Sequence, residues 1–394
     1  MENKDYRKIF MIFFTRVFFL LSLIFSISVV KASNTKRSMK ILMVVGSFPV
    51  IHDICVLNQI TGLIDRGHDV HIFAFSKGDC TNVQEDVIKY DLINKTIFKE
   101  LPSNLNRYDI IVFQFGHRVF DIKKQHKFKG KVVVCFRGYD ITVFLKNNPH
   151  AYDIYFDCCD LFMPVCNAFK KILERIGCPT HKIVIQHSAI DCSRFTFKKR
   201  KLPQNGAINI VSAGRFIEKK GFAYALRAIA ELIKKHPQIH YTLIGDGRLK
   251  EEYDNIIRQL GIGEKVTLCG WHAHEEYIAL LDQAHIFILP SVTAQNDDQE
   301  GIPNVLKEAM AMGLMVVATN HSGNVELIEH GVSGLLVPER DSKAIFQAIE
   351  YFLTYPNTWS SMQEAAVDKI RSEFDKEKEN DKLEAVFYGL LKKR

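Results

Sequence analysis

The sequence predicts an α/β protein made of two Rossmann-like domains, and two observations lead to this prediction. From residue 39 onward, short apolar runs alternate with segments of helical periodicity, the pattern of parallel sheets covered by helices on both faces. The alternation restarts after FTFKKRKLPQNG (195–206), a basic run ending in Pro, Asn and Gly that reads as a linker. We therefore expect one domain at 39–200 and a second at 207–373, and 394 residues suffice for both.

The first half is assigned by the length and periodicity of its apolar runs. LNQITGLIDRG reads as a helix because Leu57, Ile60 and Leu63 recur at helical spacing, and Gly67 ends it. Two further helical segments are a polar stretch at 83–92 and AFKKILERIG. The apolar runs between these helices are KILMVVGSF, DVHIFAF, YDIIVFQFGH, KVVVCFRGYD, LFMPVCN and KIVIQHSAID.

The second half repeats this alternation with longer helices. Its apolar runs are INIVSAGRF, HYTLIGDG, KVTLCGW, IFILPSV, MVVAT and GLLVPERD. The helices between and after them are FAYALRAIAELIKKHP, LKEEYDNIIRQLG, HEEYIALLDQA, SKAIFQAIEYFLTYP and KLEAVFYGLLKK. Ligands of open α/β sheets bind at the carboxyl ends of the strands, so the loops after these runs are the places to look for chemistry.

The stretch from 289 to 326 holds the strongest candidate site. A strand, a polar loop and a helix follow one another, with Pro303 expected in the first helical turn and Gly313 at the end. Glu300 then lies at the rim of the loop and Glu308 within the helix. Free backbone N–H groups at a helix start attract anions, and carboxylates accept sugar hydroxyls. Together these features suit a nucleotide-sugar.

Three other loops follow predicted strands and can be read in two ways. Arg215 and Lys220 in GRFIEKKG could stabilise a diphosphate leaving group, or they could form a solvated basic turn, in which we expect Lys219 to be the solvated member. Gly245 in LIGDG and Gly46 in GSFP could let the backbone approach a phosphate, or they could mark ordinary turns.

FRGYD, at the end of an apolar run, is the fourth loop with two readings. Arg137 could be a cation at the terminus of a strand that faces the ligand. It could equally be a surface arginine beside Asp140, which would cap the turn.

Composition limits the partners. The net charge of +7 and the pI of about 8.8 favour anionic partners such as nucleotide phosphates or an anionic membrane surface. The sequence has no nucleic-acid-binding motif, and its histidines and cysteines lack metal-site spacing, so we expect neither nucleic acid nor a metal. An odd, unpatterned set of nine cysteines is typical of a reducing compartment.

Residues 1–38 leave three readings open. An uncharged apolar run at 17–30 follows several basic residues, which is typical of a signal peptide. The same run could be an uncleaved membrane anchor, although Arg16 would then be costly within the span. Alternatively, Met39 is the true start and 1–38 is an upstream extension.

Taken together, these motifs resemble the retaining glycosyltransferases of family 4, also called group 1, which have the GT-B fold. The resemblance rests on GSFPVIHDICVLNQITGLIDRGHDVHIFA, CFRGYDI, KIVIQHSAID, GRFIEKKGF, LIGDG and QEGIPNVLKEAMAMG, in family order over nearly all of 40–394. Within the family the chain looks like the exopolysaccharide and colanic-acid or amylovoran branch. The resemblance implies an N-terminal acceptor domain, a C-terminal nucleotide-sugar domain and a terminal helix (374–394) that crosses back to the first domain.

The resemblance also implies roles for individual residues. Glu308 would hold the ribose hydroxyls, Glu300 would contact the donor sugar, and Arg215 and Lys220 would bind the diphosphate. The other donor-binding positions are Gly46, Arg137, Gly245, Gly301, Asn304, Val305 and Leu306. Arg137 is a departure, because the family often has a histidine near the donor sugar at that position.

The expected function is therefore transfer of a hexose-type sugar, with retention and without a metal, to a growing, lipid-linked saccharide. No cofactor is expected, since the nucleotide-sugar is a substrate, and we favour a UDP-sugar over a GDP-sugar. We expect a cytoplasmic protein, peripheral to or anchored in the inner membrane, with basic segments at 123–131 and 168–176 facing acidic lipid. The alternatives are a secreted two-lobed sugar-binding protein and a phosphorylase or epimerase of the same architecture.

Overall fold

A computed structural model describes residues 37–50, 53–80, 83–121, 128–204 and 206–392, and residues 39–394 form one compact unit. Within it lie two six-stranded sheets whose strand pairs are all parallel, which confirms the α/β prediction. The three readings of the N-terminal segment concern residues that lie almost wholly outside the described part. Among the described helices, none is long and apolar enough to cross a membrane.

The first sheet is built from the first half of the chain and has the strand order β3-β2-β1-β4-β5-β6. Its central strands are rich in Val, Ile and Phe and are buried on both faces, as parallel strands covered by helices must be. The six strands are β1 (Lys40–Phe48), β2 (Asp69–Lys77), β3 (Thr96–Phe98), β4 (Ile110–Phe113), β5 (Lys131–Phe136) and β6 (Leu161–Pro164).

The α-helices described in this half are α1 (Ile54–Asp65), α2 (Glu85–Lys89), α3 (Val143–Asn147), α4 (Asp153–Cys158) and α5 (Asn167–Arg175). As predicted, α1 ends before Gly67, whose φ of +82° lets the chain turn out of the helix. Strand β3 was not predicted. KIVIQHSAID forms only isolated bridges, at Ile183 and Ile190, rather than one of the sheet's strands.

The second sheet has the order β12-β11-β10-β7-β8-β9. Its strands are β7 (Ile208–Ala213), β8 (Ile239–Ile244), β9 (Val266–Gly270), β10 (Ile286–Leu289), β11 (Met315–Thr319) and β12 (Leu335–Val337). Its helices are α6 (Phe222–Lys235), α7 (Lys250–Leu260), α8 (His274–Gln283), α9 (Asn304–Ala311), α10 (Asn324–Leu327), α11 (Ser342–Thr354) and α12 (Trp359–Glu373).

The last helix, α13 (Lys376–Lys392), returns to the first half, as the resemblance implied. Leu383, Phe387 and Leu390 are buried in the same hydrophobic cluster as one face of β1 and the apolar residues of α1. A methyl group added to Gly62 of α1 would lie 2.0 Å from Nδ2 of Asn380, so the two helices are in direct contact. The end of the chain therefore holds the second half of the molecule against the first.

The segment 195–206 contains no helix or strand among its described residues, as a linker should. Pro303 immediately precedes α9 instead of lying within its first turn. Helix α9 ends as predicted, with Gly313 at a φ of +79°. The domain boundaries proposed at 200, 207 and 374 stay predictions.

Candidate active site

Three connecting segments meet at the carboxyl edge of the second sheet. They follow β7, β10 and β11, three neighbouring parallel strands. The segment after β7 is joined to the segment after β10 by a hydrogen bond of 2.8 Å from the N–H of Val292 to the carbonyl of Lys219. A methyl group on Gly323, after β11, would lie 2.1 Å from the carbonyl oxygen of Gly301. Close packing of these backbones brings the predicted site residues together.

Lys220 and Glu300 form a buried ion pair. Nζ of Lys220 lies 2.6 Å from Oε1 of Glu300, and about a tenth of each side chain is exposed (11% and 9%). The aliphatic stem of Lys220 packs on Gly214, where an added Cβ would lie 3.0 Å from Cε. Lys220 is thus fixed in place by packing as well as by charge. A bound diphosphate would either share the Lys220 ammonium with Glu300 or displace the Glu300 carboxylate from it.

The charges around Glu300 keep it ionised. Burial alone would raise the pKa of this carboxyl, but the positive charges of Lys220 and Lys219 outweigh that effect and lower the pKa to about 2. Glu300 is therefore an anion at every physiological pH. A carboxylate held in this state accepts hydrogen bonds from sugar hydroxyls and does not donate a proton.

The expectation that Lys219 is solvated is wrong. Only 11% of its side chain is exposed, and Nζ lies 2.9 Å from Oδ1 of Asp298. The same ammonium donates to the carbonyl of Gln299 at 3.2 Å. Lys219 thereby ties the segment after β7 to the loop that carries Glu300, a partner nearly eighty residues away that local sequence does not reveal.

His321 supports Glu300 from the other side and was not predicted. Its Nε2 accepts the backbone N–H of Glu300 at 3.1 Å, and its Nδ1 lies 2.6 Å from Oε1 of Glu339. This arrangement places the ring proton on Nδ1, where it is donated to Glu339. Oε2 of Glu339 accepts the N–H of Thr293 at 2.9 Å. The loop 293–300 is thus anchored at its start by the carboxylate of Glu339 and at its end by the imidazole of His321.

Glu308 is buried in α9, and its carboxylate has a specific partner. The hydroxyl of Tyr277, on α8, donates to Oε2 at 2.7 Å. Burial raises the pKa of Glu308, while the Tyr277 hydroxyl and the charges of Lys307 and Lys220 oppose this rise. The charge of Lys220 therefore acts on the pKa of Glu308 as well as on that of Glu300.

Arg215 lies in the same segment as Lys220 but is exposed. Among the residues that the structure describes, its guanidinium has no hydrogen-bond or ion-pair partner. An exposed cation immediately after a strand end can meet an incoming anion without first breaking another contact. Its diphosphate role stays a prediction.

The start of α9 presents three predicted donor-binding residues with different surroundings. Asn304 and Val305 are partly exposed, whereas the side chain of Leu306 is fully buried in the core. Leu306 can therefore reach a ligand only through its backbone N–H and not through its side chain. The first-turn N–H groups of a helix lack partners within the helix, so all three can serve an anion in this way.

Close packing leaves no room for a side chain at Gly245. Its φ is +136°, and an added Cβ would lie 2.0 Å from the carbonyl oxygen of Gly214. Its N–H donates to the carbonyl of Gly270 at 2.8 Å. The ends of β7 and β8 thus require a glycine here on structural grounds alone, and donor binding by Gly245 stays a prediction.

In the first half, Gly46 lies beside Arg118 at the carboxyl ends of β1 and β4. A Cβ on Gly46 would lie 3.0 Å from Nη2 of Arg118, whose guanidinium also lies 5.1 Å from the ring centroid of Phe75. Arg118 was not predicted. The first half thus presents a small residue and a cation at this edge.

Arg137 is not a surface arginine. Its guanidinium donates to the carbonyl of Gln114 at 3.1 Å and to Oε1 of Gln59 at 3.0 Å, so it joins α1 to the end of β4.

Asp140 is fully buried and accepts the backbone N–H of Gly116 at 2.7 Å and those of Arg137 and Gly138 at 3.0 and 2.9 Å, which confirms its capping role. These contacts lie within the first half, and the predicted role of Arg137 at the donor sugar stays untested.

The two halves meet at Gly301. A Cβ there would lie 2.8 Å from Cγ2 of Val165 and 3.1 Å from the carbonyl oxygen of Arg137, both in the first half. Nearby, Nζ of Lys146 on α3 lies 2.8 Å from Oδ2 of Asp297. The loop that carries Glu300 therefore borders the first half directly. Among the described residues, no group of three or more His, Cys, Asp or Glu side chains is arranged to hold a metal ion.

Comparison with known proteins identifies the family of this chain. The sequence model of the family described as "Glycosyl transferases group 1" matches residues 193–369, which include Arg215, Lys220, Glu300 and Glu308. Two relatives match over most of their length. WcaL of Salmonella typhimurium carries the name of a colanic acid biosynthesis glycosyltransferase. It is 30% identical to this chain in an alignment that covers 88% of this chain and 99% of WcaL. The amylovoran biosynthesis glycosyltransferase AmsK of Erwinia amylovora is 32% identical over 78% of this chain and 89% of its own.

Among solved structures, Anabaena HepE in complex with UDP superposes with a TM-score of 0.72 at 18% identity. The match covers 89% of this chain and all of the HepE chain, and it confirms the GT-B fold. The relatives named above are glycosyltransferases, so a non-catalytic sugar-binding protein gains no support from them. This chain is 30% identical to WcaL and 32% identical to AmsK over most of their length, and the family model matches the donor-side residues. The chain therefore belongs to the group 1 glycosyltransferases.

Proposed function

We propose that this glycosyltransferase moves a hexose-type sugar from a nucleotide diphosphate, with UDP favoured, to a growing saccharide. One observation carries the proposal: the buried Lys220–Glu300 pair lies at the same sheet edge as Glu308 and the start of α9. A cation for phosphate, two carboxylates for hydroxyls and free helix N–H groups together match the parts of a nucleotide-sugar.

The chemical roles follow from the charges. Arg215 and Lys220 would stabilise the negative charge that develops on the leaving diphosphate, since charge stabilisation at preorganised cations is a major source of rate enhancement. Glu308 would accept the ribose hydroxyls, and Glu300 would orient the donor sugar. We further propose that transfer retains the anomeric configuration, which product analysis by NMR tests directly.

We propose that no metal takes part, because two cationic side chains can supply the charge that a metal would otherwise bring to the diphosphate. Turnover that persists in excess chelator supports this part of the proposal. Turnover that is lost in chelator and restored by a divalent cation contradicts it.

The acceptor is proposed to be a lipid-linked saccharide of surface polysaccharide assembly. The support comes from the names of WcaL and AmsK, which place those proteins in colanic acid and amylovoran biosynthesis. Incubation with lipid-linked and free oligosaccharides of the same sequence separates the two acceptor classes. Transfer to the free oligosaccharide alone would contradict the lipid-linked assignment.

A cytoplasmic location at the inner membrane is part of the proposal. Helix α5 buries Phe169 and Leu173 and directs Lys171 and Arg175 to solvent, where acidic lipid could bind them. Of the second basic segment, 123–131, the part at 123–127 lies outside the described residues. Cell fractionation tests the location, and co-sedimentation with vesicles that is independent of anionic lipid content contradicts the membrane contact.

A donor screen tests the proposed function most economically. Thermal unfolding of the full chain is measured with uridine, guanosine and adenosine diphosphate sugars. A ligand that binds the folded state adds about 2.7 kcal/mol at a hundredfold excess over its dissociation constant, so the true donor raises the melting temperature. We expect the uridine compounds to do so. A shift with free sugar but with no nucleotide-sugar would contradict donor binding.

A further inference from the structure

We infer that Lys307 is a positioning residue, which fixes the donor-side helix α9 against residues 188–190, in the stretch between α5 and β7. The inference rests on the proposed function, in which Glu308 of the same helix binds the donor. It concerns how Glu308 is held relative to the first half of the molecule, where the acceptor is expected.

Lys307 is fully buried, with 0% of its surface exposed, and yet no carboxylate pairs with its ammonium among the described residues. Nζ donates instead to the backbone carbonyl of Ser188 and, at 3.1 Å, to the Ser188 hydroxyl. That hydroxyl donates to the carbonyl of Ile302 at 3.2 Å. A buried ammonium is costly unless its hydrogen bonds are made, so the side chain holds Ser188 in one position.

The contact continues into the first half through a chain of buried polar groups. The carbonyl of Ala189, next to Ser188, accepts a hydrogen bond of 3.1 Å from Nδ2 of Asn58 on α1. The carbonyl of Asn58 in turn accepts one of 2.9 Å from Nδ2 of Asn380 on α13. Lys307, Ser188, Asn58 and Asn380 are all at least nine-tenths buried. One continuous polar chain thus joins α9, residues 188–189, α1 and α13.

The position of Lys307 along α9 gives this chain its effect on the site. Lys307 precedes Glu308 directly, so a rotation or shift of α9 away from Ser188 moves the Glu308 carboxylate with it. Because the Tyr277 hydroxyl still holds the Glu308 carboxylate within the second half, loss of Lys307 would shift α9 and its neighbours together relative to the first half. The donor would then be misplaced relative to the acceptor, while the nucleotide-binding groups keep their positions relative to one another.

The test compares Lys307→Met, which keeps the length and removes the charge, with the wild-type full chain. We expect UDP affinity to be unchanged, whereas kcat falls by about a hundredfold, since small misplacements of reacting groups have effects of that order. Ser188→Ala removes only the hydroxyl and should lower kcat in the same direction by less. It carries the test if Lys307→Met does not fold. An unchanged kcat, or UDP affinity lost in parallel with kcat, overturns the inference.

Gln363→Leu is the matched control. Gln363 is buried, and its side chain accepts the N–H of Arg200 at 3.0 Å and donates to its carbonyl at 3.2 Å, outside the polar chain described above. This variant should lose stability and keep its kcat per folded molecule. If it loses kcat to the same degree as Lys307→Met, general destabilisation explains both and the inference fails.

A readout that does not depend on activity separates this inference from the proposed function. In Lys307→Met, backbone amide hydrogen exchange should become faster at 188–190 and in α13 and stay unchanged in α6. If wild-type protein transfers no sugar from any donor, the proposed function fails while this exchange pattern still tests the contact. Unchanged exchange at 188–190 and in α13 overturns the positioning role.

Discussion

The ammonium of Lys220 and the carboxylate of Glu300 lie 2.6 Å apart, and each side chain is about nine-tenths buried. Neither charge is stable at this place without the other, because the surrounding protein replaces most of the water that would solvate it. The pair also joins two connecting segments that follow different strands, β7 and β10. The same contact therefore shapes the site and sets its charge.

Glu300→Gln keeps the shape of the side chain and leaves Lys220 buried without its counter-ion. We expect the free energy of unfolding to fall by about 3 kcal/mol, the cost of breaking a buried pair from one side. Urea unfolding at neutral pH measures the change. Glu231→Gln is the control, because Glu231 pairs with Lys234 at the same distance of 2.6 Å but with both side chains mostly exposed. Its change should stay below about 1 kcal/mol, and equal losses in the two variants would contradict the role of burial.

The stability that Glu300 provides should depend on pH in a defined window. The pKa of the group is about 2 in the folded protein and 4.5 in its ordinary state. Because the folded pKa is depressed, the stabilisation is fully present above pH 4.5 and is lost as the pH falls toward 2. The difference in unfolding free energy between wild type and Glu300→Gln should therefore be constant from pH 7 to pH 5 and should shrink below pH 4.5. A difference that grows on acidification contradicts the assignment.

Much of the fold could be predicted because the signals are local. The helices and strands of both halves follow from apolar spacing, and Gly313 ended α9 as its position indicated. Strand β3 was missed since its three residues, Thr96–Phe98, are too few to show alternation. KIVIQHSAID is apolar enough for a strand, but it forms only one isolated bridge to β6, at Ile183, and one to Asp375, at Ile190.

Site residues could be predicted only where a charged side chain lies in the loop or helix that directly follows a predicted strand. Glu300, Glu308, Arg215 and Lys220 were predicted in this way, and their roles stay predictions. Their supporting partners were not predicted, because these are contributed by distant elements whose approach depends on the tertiary fold. Those partners are Lys219, Tyr277, Lys307, His321 and Glu339.

Tyr277→Phe should weaken nucleotide binding. The hydroxyl donates to Glu308 at 2.7 Å and opposes the rise in the pKa of this carboxyl that burial causes, so its loss leaves a poorer acceptor for ribose hydroxyls. We expect UDP affinity to fall by roughly 2 kcal/mol, or about thirtyfold, as for a hydrogen bond to a charged group. Isothermal titration measures it, and inhibition by inorganic diphosphate should not change.

Tyr241→Phe is the control for that prediction. Tyr241 is buried and donates to Oγ of Ser212 at 2.7 Å, within the second sheet. Its loss should lower stability without altering UDP affinity. If Tyr277→Phe binds UDP as wild type does, Glu308 does not hold the ribose in the proposed way.

Gly46→Ala should impair transfer without unfolding the protein. The added methyl group would lie 3.0 Å from Nη2 of Arg118, the mobile end of a long side chain that can shift by a few tenths of an ångström. It would also occupy the place where the backbone is expected to approach the donor phosphates. We expect kcat/KM to fall by about tenfold or more. In Gly389→Ala on α13, where nothing lies within 4 Å of the new atom, it should not change. Wild-type transfer by folded Gly46→Ala would remove Gly46 from the donor site.

The central claim is that the group around Lys220 and Glu308 is the donor site of a glycosyltransferase. The most direct measurement is the rate of sugar transfer by the full chain, its Glu308→Ala variant and its Lys220→Ala variant, with circular dichroism to show that each is folded. Arg215→Ala extends the series, since Arg215 is exposed and its loss should not affect folding. We predict that Glu308→Ala and Lys220→Ala each lose at least about a hundredfold in kcat/KM. Wild-type turnover in either variant, in its folded form, would contradict the account.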